Sequence, residues 1–103
     1  MKVTIYCDGG ARGNPGPAAA AFVVAGNLRY KCGKYLGETT NNVAEYQAVV
    51  LALGWLAKNP GPAEFFLDSS LVVNQINGKI KVKNPKLRLL LMQVPQLEAK
   101  TAF

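Results

Sequence analysis

The hydrophobic pattern of this chain changes period twice. Residues 3–8 (Val-Thr-Ile-Tyr-Cys-Asp) alternate β-branched and aromatic side chains and read as a strand. Residues 18–25 are small and β-branched, as in a buried strand, and residues 28–36 alternate apolar with basic side chains as a third. Over residues 43–58 the spacing becomes helical, with Val43, Tyr46, Val50, Leu53 and Ala57 on one apolar stripe, until Asn59-Pro-Gly-Pro62 ends it. Residues 63–68 return to a strand. Strands joined by tight turns pair antiparallel, whereas a strand reached through a helix lies parallel to an earlier one through a right-handed crossover. The predicted α/β fold is a mixed sheet. Its three meander strands are antiparallel, its fourth strand is parallel and adjacent to the first, and helices pack on its faces.

Punctuation supports this order. The stretch from Gly9 to Pro17 is rich in Gly and Pro and predicts a loop, and Gly26-Asn27 predicts a two-residue hairpin turn. Thr40, Asn41 and Asn42 each have the chemistry to cap the long helix. Ser69 caps a second helix running through Val72, Val73 and Ile76 to Gly78. Asn84-Pro85 opens a third, apolar on more than one face, which Pro95 kinks or ends.

At 103 residues the chain is read as one domain spanning 1–103, with no internal repeat or linker. Its net charge of +6, with no histidine, points to a polyanionic partner, nucleic acid before membrane. A basic surface kept for solubility is the plainer explanation of the same charge. Cys7 and Cys32 lack metal or disulfide-framework spacing, and no apolar stretch spans a bilayer. With no charged-then-apolar leader, these features describe a soluble cytoplasmic protein.

The chain has only two aspartates, Asp8 and Asp68, and each stands where an apolar run stops. Carboxylates at the carboxyl ends of neighbouring parallel strands emerge together on the rim where open α/β sheets bind ligands. Glu45, read as lying in the first turn of the long helix, leans over the same strand ends. Three converging carboxylates repel one another, and a hard divalent cation relieves that repulsion. Each acid also has an ordinary use. Asp8 before Gly-Gly suits a turn, Glu45 suits a helix dipole, and Asp68 suits a cap.

Three segments carry a more specific signal: Asp8-Gly-Gly-Ala-Arg-Gly-Asn-Pro-Gly-Pro17, Thr40-Asn-Asn-Val-Ala-Glu45, and Asp68-Ser-Ser-Leu-Val-Val-Asn-Gln-Ile76. In order, spacing and flanking pattern they resemble the successive motifs of type 1 ribonuclease H. The resemblance runs from Met1 to about Arg88. It implies a ribonuclease H-like sheet and endonucleolytic hydrolysis of the RNA strand of RNA–DNA hybrids by a two-metal-ion mechanism with Mg²⁺ or Mn²⁺. It also implies that Asp8 bridges both ions and that Glu45 and Asp68 hold the second. Asn14, Asn41, Asn42 and Ser70 match positions that touch the hybrid in its minor groove. Thr40 matches part of a pocket for a DNA-strand phosphate, and Glu38 stands where some members carry Arg.

The resemblance also sets expectations for the end of the sequence. The family continues with a fifth strand and a last helix carrying a fourth catalytic Asp. After Asp68 the only acid in this sequence is Glu98, read as helical and away from the rim. The expected fold therefore lacks the fifth strand and last helix and exposes the edge of the fourth strand. Self-association, domain swapping or a partner segment would complete it. The competing function is a catalytically impaired hybrid-binding module, or a fragment that needs a second copy. The three acids favour the nuclease. Lys79, Lys81 and Lys83 alternate with apolar residues and serve either as phosphate contacts or as a solvated edge.

Overall fold

The computed structural model describes residues 3–26, 29–77 and 97–101. Strands β1 (Val3–Ala11), β2 (Gly16–Ala25) and β3 (Tyr30–Thr39) form the meander. Helix α1 (Asn41–Lys58) leads to β4 (Ala63–Leu67), and α2 (Ser70–Ile76) precedes β5 (Leu97–Thr101). The sheet order is β3-β2-β1-β4-β5. Pairing is antiparallel within the meander and parallel for β1 with β4, as the change of period predicts.

Several expectations need correction. A fifth strand is present. β5 pairs parallel with β4, with Glu98 opposite Glu64, so Glu98 is not helical and the β4 edge is covered. Leu, Glu, Ala and Lys favour helix locally, but the open backbone groups of β4 give this segment a ladder, and pairing overrides weak propensity. The exposed edge that argued for a second copy or a swap is therefore closed. The Gly/Pro-rich loop is also shorter than turn chemistry suggests. β1 and β2 stay paired through Ala11 opposite Ala18, leaving only residues 12–15 as the tip. Likewise β3 runs on to Thr39. The hairpin turn at Asn27, the third helix and Lys79, Lys81 and Lys83 lie outside the described residues.

The core lies on one face of the sheet. Ile5 and Cys7 of β1, Ala20, Phe22 and Val24 of β2, and Phe65 and Leu67 of β4 are buried against α1 and α2. Both crossovers, β3 to β4 and β4 to β5, advance the same way across the sheet, so one handedness places both helices on one side. The α1 stripe that packs there is Ala44, Ala48, Val49, Ala52, Leu53 and Leu56. Val43, expected in it, is exposed, and Tyr46 and Val50 are only partly buried. Cys7 is a buried free thiol, as its place in β1 predicts. Among the described residues no helix is long and apolar enough to cross a membrane.

Phe65 is fully buried in β4, between β1 and β5. Phe65→Ala is expected to remove about 3–5 kcal/mol of stability, read as a lower urea midpoint with unchanged slope.

Candidate metal centre

The β1–β4 ladder keeps one offset, from Val3 opposite Ala63 to Tyr6 opposite Phe66. Carried two residues further, that register sets Asp8 beside Asp68. Asp68 follows the last residue of β4. Asp8 lies within β1, opposite Ala21 of β2, and not at the strand end. Even so, it stands just past the end of the parallel ladder, where the sheet opens into a rim.

Glu45 comes from α1. Thr40 is the N-cap, its hydroxyl oxygen accepting from the Val43 N–H at 3.2 Å. Asn41 and Asn42 therefore lie inside the helix, and Glu45 is its fifth residue, just past the first turn in which it is expected. A dipole role weakens beyond the first turn, so the ordinary use of Glu45 loses its geometry. Glu45 is only 5% exposed. Its carboxylate accepts a long bond from the Gly9 N–H at 3.4 Å through Oε1, while Oε2 is buried without a partner.

Ligand atoms of Asp8, Glu45 and Asp68 all lie within 4.8 Å of one another. Two oxygens on a single Mg²⁺ are at most about 4.2 Å apart, so a modest closure brings the trio to bonding distance. The orphaned Oε2 and the all-oxygen donor set fit a hard divalent cation. Desolvation raises the Glu45 pKa above 4.5, opposed by the Gly9 N–H and reinforced by the charges of Asp68 and Asp8.

The cleft beside this trio is lined by Gly9, Asn41, Asn42, Glu45, Asp68, Ser69 and Ser70. Asn14 sits at the hairpin tip, and its Oδ1 accepts from the Asn41 N–H at 3.0 Å. Asn41 Oδ1 accepts from the Ala11 N–H at 2.7 Å. Ser69 caps α2 through the Val72 N–H at 3.3 Å, and Ser70 is exposed at the first position of that helix. Among the described residues the structure thus gathers Asp8, Asn14, Thr40, Asn41, Asn42, Glu45, Asp68 and Ser70 along one rim. Side-chain reasoning passed over the backbone donors Gly9 and Ala11, although Gly-Gly after Asp8 marks a place where helix and strand can approach closely. A separate cleft lined by Val23, Arg29, Tyr30 and Lys31 lies at the opposite rim and holds no acid.

The RNase H family profile matches residues 1–98. The chain belongs to the RNase H family. It is 41% identical over 102 residues to the bifunctional protein Rv2228c of Mycobacterium tuberculosis, covering 94% of this chain and 28% of that protein. It is 40% identical over 91 residues to ribonuclease HI of Halobacterium salinarum, covering 84% of this chain and 46% of that protein. The chain therefore spans half or less of these two relatives. Among solved RNase H structures, LC11-RNase H1 in complex with RNA/DNA hybrid superposes with a TM-score of 0.79 at 37% identity, over 96% of this chain and 83% of that one.

Because the folded-state pKa of Glu45 is raised, the folded chain holds this proton more tightly than the unfolded chain. That contribution to stability is complete below 4.5 and is lost as pH rises through the raised value. Glu45→Gln is expected to remove this decline and raise Tm at neutral pH in chelator. Thermal melts between pH 4 and pH 8 check it, and equal pH slopes for both proteins would contradict it.

Proposed function

We propose that this chain hydrolyses the RNA strand of RNA–DNA hybrids, with Mg²⁺ or Mn²⁺ held by Asp8, Glu45 and Asp68. Two observations together carry this reading: Glu45 has a buried, partnerless Oε2, and ligand atoms of Asp8, Glu45 and Asp68 lie within 4.8 Å of one another. A buried carboxylate oxygen without a partner is costly unless a cation completes it. The resemblance to type 1 ribonuclease H implies that, were two ions bound, Asp8 would be their shared ligand. Bound ions supply charge stabilisation to the phosphodiester and a water activated for attack. No histidine is available as a base.

The remaining rim residues suit a hybrid. The amide oxygens of Asn14 and Asn41 are taken by backbone N–H groups, so their exposed NH₂ groups offer donors only. The wide minor groove of an A-like duplex presents ribose 2′-hydroxyls and base-edge acceptors to such donors. Asn42 and Ser70 extend the same exposed edge. The Thr40 oxygen accepts from Val43, which leaves its O–H to donate to a phosphate of the DNA strand. The net charge of +6 adds affinity for the backbone, weakening with salt.

The test is a hybrid labelled on its RNA strand, incubated with Mg²⁺, Mn²⁺ or chelator. RNA cuts with an ion and none with chelator are expected. Intact RNA with both ions, or cutting that survives chelation, overturns the reading. Asp8→Asn is expected to lower the rate by about 10³-fold or more, since several kcal/mol of charge stabilisation pass through that ligand.

A further inference from the structure

The Arg12 N–H donates to Pro17 O at 2.9 Å, which points it across to β2. Alternation along an antiparallel strand turns the N–H groups of Gly9 and Ala11 the other way. Pairing with β4 would satisfy them, but that ladder ends at Tyr6 and Phe66. Two side chains of α1 take them instead. Glu45 Oε1 accepts from Gly9 at 3.4 Å, and Asn41 Oδ1 accepts from Ala11 at 2.7 Å. Two strand residues advance about 6.6–6.8 Å and four helical residues about 6.0 Å, so the spacings of donors and acceptors match. The result is a two-rung ladder between strand and helix. One rung contains a member of the carboxylate trio. The shorter rung is Asn41, whose own N–H is held by Asn14 at 3.0 Å.

We infer that Asn41, braced by Asn14, is a positioning residue for the carboxylate trio: its side-chain oxygen clamps β1 to α1 and so fixes the spacing of Asp8 and Glu45. Carboxylates gathered this closely repel one another, which works to part strand and helix. The Gly9–Glu45 bond is too long to resist that push well, whereas the Asn41 rung lies one helical turn away and opposes it. The inference rests on reading the trio as a metal site, and it gives Asn41 a role that needs no nucleic acid. The amide oxygen faces the protein, and Asn41 is also a lining residue of the cleft.

The test is calorimetric titration of the whole chain with Mg²⁺ alone and with Mn²⁺ alone, no nucleic acid present. Asn41→Ala is expected to raise the half-saturating ion concentration about tenfold, as for one lost short hydrogen bond. Asn41→Asp keeps the acceptor and is expected to bind ions at least as well as the wild type, while losing hybrid affinity. Asn59→Ala removes a bond to Trp55 O at the far end of α1. It is expected to lower Tm without moving the titration, which separates positioning from general stability. Where Asn41→Ala does not fold, Asn14→Ala gives the same reading with a smaller shift. Wild-type titration with an unshifted Asn41→Ala curve, or unshifted Asn14→Ala where Asn41→Ala does not fold, overturns the inference alone. A wild-type chain that takes up neither ion overturns the metal site beneath it.

Discussion

The close approach of β1 to α1 governs everything at the rim. A methyl group on Gly9 would collide with the Ala44 carbonyl. Ala44, Ala48 and Ala52 are fully buried along the same side of the helix. Small residues on helix and strand let the two backbones nearly touch, and only at that separation can Glu45 reach the Gly9 N–H. A larger residue at Gly9 would move a carboxylate as well as loosen a contact.

That closeness conflicts with electrostatics. The fold carries Glu45 into a nearly dry position, gives one oxygen a long hydrogen bond and leaves the other without a partner. Two more carboxylates face it. Burial of Ile5, Phe22, Phe65, Leu53 and Leu56 stabilises the surrounding sheet and helix, so the unfavourable cluster persists as a local cost in a well-packed frame. The backbone N–H of Gly9 softens this cost without removing it. In the proposed metal reading, the repulsion that the protein tolerates alone becomes attraction when positive charge enters.

The strand and helix order was legible because each element carries its own period and its own stop, as in Thr40 before α1 and Asn59-Pro-Gly-Pro62 after it. The α1 face was less legible. Helical spacing alone picked Val43 and Ala57, whereas the buried stripe runs through alanines that rank low on hydrophobicity and high on close packing. β5 was illegible for a related reason. Leu97-Glu-Ala-Lys-Thr101 contains good helix formers, and its extended form is set by the edge of β4. The strand ends were misread where Gly and Pro signal turns, since Gly9 and Gly10 still pair with Ala20 and Ala19.

The sequence by itself determined the mixed sheet, the three acids and their order along the chain, because period, punctuation and rare residue types are local properties. Tertiary structure decided the rest. The constant register of β1 with β4 brings Asp8 level with Asp68 across sixty positions of sequence. Packing of α1 on β1 buries Glu45 and leaves its Oε2 without a partner. The end of the β1–β4 ladder frees the two N–H groups that Glu45 and Asn41 accept. None of these is written in any one segment, since each depends on the distance between groups that only the folded chain brings together.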